Sequence, residues 1–326
     1  MTRILVTGAA GFIGSHLCER LLDRGHQVLA LDNFDEFYDP SVKRRNIEEL
    51  VARPDFLLVE ADIRDGEALD ALPGEFSCIV HLAARAGVRP SIEQPVLYQD
   101  VNVSGTQQML ELARRRGVTN FVFGSSSSVY GNNRKVPFSE DDPVDHPISP
   151  YAATKRSGEL LCHTYRHLFD IGCVCLRFFT VYGPRQRPDL AIHKFTRLLS
   201  AGEPIQQFGD GTTSRDYTHI GDILQGIEGA IDYLVANPGA FEIVNLGESE
   251  TVELTRLIEM ISGALGVKPE IERLPTQPGD VEQTYADISK ARRLLGYDPA
   301  TRIDTGIARF VDWYRAAVSG VRSGPS

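Results

Sequence analysis

The chain is short of cysteine, of net positive charge and of long apolar runs, and each shortage excludes something. Its five cysteines (Cys18, Cys78, Cys162, Cys173 and Cys175) are odd in number and show no CxxC spacing across 326 residues. That pattern argues against a disulfide scaffold or a structural zinc site. Lys and Arg total 34 against 44 Asp and Glu, a net charge of -10, so there is no generic electrostatic case for nucleic acid or an anionic membrane. No run approaches the roughly 20 apolar residues of a membrane span. The first residues mimic a secretion signal, but "VTGAAGFIG" is too rich in glycine for a helical apolar core. His163 and His167 share a helix face without a third ligand, so no metal is expected. A reduced, cytoplasmic, soluble protein without a nucleic-acid or membrane partner is the expectation.

What the chain does contain is alternation. Apolar, β-prone runs ("RILVTG", "QVLALD", "FLLVEAD", "CIVHLAA", "NFVFGSS", "CVCLRFF") are separated by amphipathic helical stretches such as "GSHLCERLLDRG" and "SGTQQMLELARRRG". Continuous apolar strands alternating with helices predict an α/β fold with a parallel sheet covered on both faces. After Thr180 the chain is richer in Pro, Gly and loops, which predicts a smaller second lobe; "SGVRSGPS" reads as a disordered tail.

"ILVTGAAGFIGSHL" sets Gly8, Gly11 and Gly14 between a strand and a helix. The pattern suits a tight turn whose backbone approaches a pyrophosphate at a helix N-terminus. A second strand ends in Asp32, 24 residues after Gly8, close to where a ribose-binding acid belongs. An acid there accepts from a 2′-hydroxyl and repels a 2′-phosphate, which favours NAD over NADP.

Two further stretches carry chemistry. "SPYAATKRSGELL" places Tyr151 and Lys155 on one face of a helix. A phenol of ordinary pKa near ~10 is a poor base at neutral pH, and a neighbouring ammonium is expected to lower that value. A phenolate so poised can take a hydroxyl proton while hydride leaves for a nicotinamide. "FVFGSSSSVYG" runs from a strand into four serines, Ser125 to Ser128, where a flexible linker would be out of place.

TGxxGxxG, Asp32, "HLAA", "SSSSVYG", YxxxK and "RDYTHIGDI" together resemble the extended short-chain dehydrogenase/reductase family of nucleotide-sugar epimerases and dehydratases, over roughly Arg3 to Tyr314. The resemblance implies a Rossmann-type, doubly wound NAD domain over residues 1–180. A partly interleaved nucleotide-sugar lobe would follow over 181–318, with the tail at 319–326. It also implies a tightly held, recycled NAD. The implied cofactor contacts are Gly8, Gly11, Phe12, Ile13, Gly14, Asp32, Asn33, Asp62, Ile63, Leu82, Ala83, Ala84, Asn102 and Phe178, beside the catalytic Tyr151 and Lys155. The third catalytic residue is the Ser or Thr four positions before the Tyr of "VYG", here Ser126.

Dehydratases of the family carry acids after that Ser or Thr, where this chain has Ser127 and Ser128. "AGVRPSIEQP", Thr180 and Gln277 resemble the uronate branch of the 4-epimerases, which implies conversion of UDP-glucuronate to UDP-galacturonate through a 4-keto sugar. Ser127, Ser128 and Thr180 would then hold the sugar carboxylate. Arg89, Arg187 and Arg215 match positions at the diphosphate, and Asp280 one at the uridine ribose. An epimerase of neutral UDP-hexoses or UDP-N-acetylhexosamines stays open, as does a non-catalytic NAD-sensing regulator. By analogy with family dimers, helices near Gly105 to Arg116 and Ser149 to Leu168 would pair two subunits in a four-helix bundle.

Overall fold

The computed structural model describes residues 2–275 and 282–322. All six expected strands form: β1 (Arg3–Thr7), β2 (Gln27–Asp32), β3 (Phe56–Glu60), β4 (Cys78–His81), β5 (Asn120–Ser126) and β6 (Gly172–Phe178). A seventh, Phe241–Leu246, joins the same sheet beyond β6. "FEIVNL" is a short run just after an Asn-Pro-Gly turn, outside the regular strand–helix alternation, and it escaped the sequence reading. Its pairing with β6 sends chain from far beyond residue 180 back into the first sheet.

The sheet is parallel throughout, in the order Phe241–Leu246, β6, β5, β4, β1, β2, β3. Successive side chains on a strand point to opposite faces, and here both faces are buried. Ile4, Val6, Val28, Ala30, Val122 and Val174 enter one core, which also holds Leu17, Cys18 and Leu21 of helix α1 (Phe12–Asp23) and Ile223, Ile227 and Ile231 of the Ile220–Ala236 helix. Leu5, Leu29, Leu31, Phe121, Phe123 and Cys173 enter the other, with Met109, Leu110 and Ala113 of the Gly105–Arg116 helix and Cys162 and Tyr165 of the Pro150–Phe169 helix. Continuous apolar strands are therefore needed: each alternate residue serves a different core.

Strand order reverses between β1 and β4, so a crevice opens at their C-terminal ends, where ligands of open α/β sheets bind. A third core, including Tyr182, Phe195, Ile258 and Phe310, builds the later lobe. Helix Ile303–Arg322 runs into the first four residues of the expected tail, and the rest of that tail lies outside the described residues. No helix among the described residues is long and apolar enough to cross a membrane.

Ser149 caps the Pro150–Phe169 helix by accepting from Ala152 N at 3.1 Å, with Pro150 in the first helical position. That Ser-Pro start puts Tyr151 in the first turn, beside the end of β5. Farther along, a Cβ at Gly158 would lie 2.3 Å from the ring of Phe123. Gly→Ala in an ordinary helix interior gains about 1 kcal/mol. Gly158→Ala is instead expected to lose about 1–3 kcal/mol by overpacking. Urea unfolding checks this, and an unchanged midpoint would show that the ring has room to move.

Candidate active site

The glycine turn is set by crowding. Gly8 has φ +68°, and a side chain on it would meet Ala83 N at 2.9 Å. A Cβ on Gly14 would fall 2.1 Å from the Gly8 carbonyl oxygen. Gly11 caps α1 in an extended conformation with no side chain over the helix end, so the N-terminus of a 12-residue helix opens onto the crevice. The loops after β1 and β4 touch here, and a groove of bare backbone is what remains.

A cleft of about 400 Å³ follows that groove. Gly8, Gly11, Phe12, Ile13, Gly14, Asp32, Asn33, Asp62, Ile63, Leu82, Ala83, Ala84 and Phe178 all line it. Asp32 is buried and already engaged: Oδ2 accepts from Ala10 N at 3.0 Å and Oδ1 from Phe34 N at 2.8 Å, with Lys43 Nζ at 3.7 Å. A carboxylate has acceptor capacity beyond two bonds, so Asp32 both ties the loop and remains available to a ribose. The Asp62 carboxyl is held down at about 2 by the Arg64 guanidinium, and Asn33 donates to it at 2.9 Å. The bare glycine backbone, the helix end and an acid at the tip of β2 fit a dinucleotide without a 2′-phosphate.

Asn102 stands apart from the other expected cofactor contacts. Its side chain does not line the cleft; Oδ1 accepts from Arg85 N at 2.8 Å, and Nδ2 donates to Arg85 O at 2.9 Å and Thr154 Oγ1 at 3.0 Å. It holds the cleft wall from behind.

At the other end the cleft brings together Ser126, Ser127, Ser128, Tyr151, Lys155, Thr180 and Arg187. Ser126 Oγ accepts from Ser128 N at 3.2 Å and so also caps the short turn Ser127–Tyr130. Lys155 Nζ donates to Gly124 O at 2.6 Å and stands 6.0 Å from the Tyr151 ring centroid. Burial brings its ammonium down to about 8, with Glu159 pulling the other way.

The expected lowering of the phenol is a correction. Burial pushes Tyr151 above its ordinary value, opposed by a hydrogen bond with Ser126 and by the charge of Arg187. Periodicity identified the cation four residues along. A second cation beside the phenol, Arg187, comes from a distant loop, and helical spacing has no access to it.

Arg187 forks onto Asp189 at 2.9 and 2.7 Å. Arg89 and Arg215 do not line this cleft. Arg89 lies over the Phe208 ring at 5.2 Å, and Arg215 donates to Ser214 O at 2.9 Å. Asp280 and Gln277 lie outside the described residues. Sequence reasoning missed Phe37, Tyr38, Lys43 and Arg85, which also line the cleft. Phe37 sits between two guanidiniums, Arg85 at 5.4 Å and Arg187 at 5.3 Å, while Arg85 pairs with Asp35 at 2.8 Å. The signal available was three aromatics, Phe34, Phe37 and Tyr38, directly after the ribose acid.

A doubly wound sheet with this cleft at its switch point, ending in a serine, a tyrosine and a lysine, defines a dinucleotide-dependent enzyme that handles a hydroxyl proton. The family model described as GDP-mannose 4,6 dehydratase matches residues 5–310. A probable UDP-glucuronate 4-epimerase of Rhizobium meliloti is 41% identical, over 96% of this chain and 96% of its own. The UDP-glucuronate 4-epimerase of Thermodesulfobacterium geofontis is also 41% identical, over 98% of each. The crystal structure of UDP-glucuronic acid 4-epimerase from Bacillus cereus with UDP-glucuronic acid and NAD superposes with a TM-score of 0.90 at 38% identity, covering 97% of this chain and 99% of that one. The chain belongs to this family, within the extended short-chain dehydrogenases/reductases.

Under the cleft, His81 is buried between two hydroxyls, Nδ1 at 2.7 Å from Thr7 Oγ1 and Nε2 at 3.1 Å from Thr106 Oγ1. Thr7 Oγ1 in turn accepts from Ala83 N at 3.1 Å, in the loop against Gly8. Burial lowers the imidazole from 6.5 to about 3. Between those values the unfolded chain binds a proton that the native state refuses, so stability falls as pH drops through that window. Urea midpoints between pH 7 and 5 are expected to fall, and His81→Gln should flatten the slope by about one proton. An identical slope in the variant would show that this imidazole is not the group responsible.

Proposed function

We propose that this chain is an NAD-dependent epimerase that inverts C4 of UDP-glucuronate to give UDP-galacturonate, with its NAD tightly held and recycled. The observation that carries this reading is the chemistry of the wall around the serines. Ser126, Ser127, Ser128, Tyr151 and Thr180 present hydroxyls, Lys155 and Arg187 present positive charge, and among the described residues no carboxylate lines the cleft there. Among the described residues the three acids that do line it, Asp32, Asp35 and Asp62, come from the ends of β2 and β3. Water elimination needs an acid and a base beyond the tyrosine; inversion at C4 needs neither. The relatives at 41% identity named above are one UDP-glucuronate 4-epimerase and one described as a probable one, which supports the same choice.

Bound NAD supplies hydride acceptance and return at C4. Ser126 hydrogen-bonds the C4 hydroxyl and passes its proton to Tyr151, while Arg187 and Lys155 offset the cost of charge on a buried phenol. The 4-keto form of a hexuronic acid is a β-keto acid and prone to lose CO2. Ser127, Ser128 and Thr180 hold its carboxylate with neutral donors, which fix it without assisting decarboxylation. Arg187 also suits the diphosphate, since guanidinium forks match phosphate oxygens. Arg89 and Arg215 are assigned to the rest of the nucleotide, and Asp280 to the uridine ribose.

Two copies pair, on this reading, through the Gly105–Arg116 and Pro150–Phe169 helices. These pack side by side, with Tyr165 OH bonded to Gln107 and Glu111 and Arg114 over Phe169 at 5.4 Å. Leu160 and Leu168 stay 54% and 60% exposed on the second helix. Five buried, unpaired thiols support a cytoplasmic setting.

Incubation with UDP-glucuronate and UDP-glucose in parallel, without added NAD and with products identified by NMR, tests the substrate. UDP-galacturonate alone is expected; turnover of UDP-glucose only, or a pentose product, would overturn the assignment. Tyr151→Phe is expected to lower turnover by about 10²–10⁴ while bound NAD is retained, and undiminished turnover would remove Tyr151 from the chemistry. Sedimentation should find a dimer that dissociates on changing Leu160 and Leu168 to Glu. A monomeric parent chain would sink the pairing.

A further inference from the structure

Beneath the serine turn lies an ion pair that the chemistry above does not use. Glu159 and Arg177 have side chains 0% and 1% exposed. Arg177 forks onto the carboxylate, Nε to Oε1 at 2.8 Å and Nη2 to Oε2 at 2.9 Å. Taking two charges out of water is costly, and apolar side chains of similar volume often serve stability as well or better. Stability alone is therefore a weak account of this pair.

Its remaining bonds are more informative. Ser125 Oγ donates to Glu159 Oε1 at 2.7 Å, and Arg177 Nη1 donates to Tyr130 OH at 2.9 Å. Tyr130 OH donates onward to Asn245 Oδ1 at 2.7 Å. Ser125 stands immediately before Ser126–Ser128, and Tyr130 closes the turn that follows. One ion pair thus grips both flanks of the serine turn, the carboxylate upstream and the guanidinium downstream. Glu159 is also one helical turn beyond Lys155, whose Nζ donates to Gly124 O at 2.6 Å. Residues 155 and 159 of the helix that carries Tyr151 therefore fasten residues 124 and 125 of the strand that carries Ser126.

We infer that Glu159 and Arg177 are positioning residues, which set the placement of Ser126–Ser128 against Tyr151. The inference rests on the reading that Ser126 and Tyr151 share the C4 hydroxyl proton. The physical reason is geometric: misplacement of a reacting group by about 1 Å can cost on the order of 10² in rate.

Removing Glu159 would leave the buried Arg177 without its carboxylate, and removing Arg177 would leave Glu159 only Arg156, at 3.1 Å, as ionic partner, so either change puts folding at risk. Ser125→Ala and Tyr130→Phe each remove one tether and leave the ion pair intact. Each is expected to slow hydride transfer in a single turnover by about tenfold, and the double variant by about a hundredfold. Bound NAD and Tm should stay close to those of the parent chain, while amide exchange across 124–131 quickens. A parent-like rate in the double variant would overturn the inference, and so would a slower rate accompanied by parallel loss of NAD and Tm, which marks a role in folding only. Undiminished turnover in Tyr151→Phe is a separate failure, that of the site reading beneath the inference.

Discussion

The carbonyl oxygen of Gly8 occupies the space that a side chain at residue 14 would need, at 2.1 Å, and Gly8 itself lies against the backbone of Ala83. Every other feature of the cofactor end depends on that close approach. It lets α1 start directly after β1, so the helix N-terminus faces the crevice. It brings the loops after β1 and β4 into contact at the point where strand order reverses. Asp32 reinforces it from the side by accepting from Ala10 N, and His81 from below through Thr7 and Ala83. A groove of bare backbone N–H groups beside a positive helix end suits a pyrophosphate.

The other end of the cleft works against desolvation. Burial raises the Tyr151 phenol and lowers the Lys155 ammonium, so both tend toward neutrality. Charge must come from fixed neighbours whose own cost is met elsewhere. Arg187 is held by Asp189 and reaches the phenol through space. Glu159 opposes the lowering at Lys155 and is itself balanced by Arg177 and Arg156. The hydroxyl-rich wall adds donors without another charge, which suits a substrate that brings its own carboxylate.

Much of this was legible in residue order. Glycines at 8, 11 and 14, the acid at 32 and the six apolar runs each occur where local geometry demands them, and their spacing carries the information. Tyr151 and Lys155 were legible for the same reason, four residues being one helical turn. The bracing bonds of Asn102 were not legible, because an amide near a cleft looks alike in residue order whether it faces the cleft or braces the wall from behind. Phe37, Tyr38 and Arg85 were missed because a loop has no periodicity to report its direction. The Phe241–Leu246 strand was missed because strand pairing depends on partners some 70 residues away.

The sequence by itself determined the elements, the dinucleotide turn and the types of group that do chemistry, since these follow from contacts within a few residues. The tertiary structure alone decided that Arg187 joins Lys155 near Tyr151, what braces the cleft wall, and that Glu159 and Arg177 hold the serine turn from both flanks. Those are contacts between chain segments 17 to more than 100 residues apart. Their energies depend on burial and distance, which exist only once the sheet has brought the segments together.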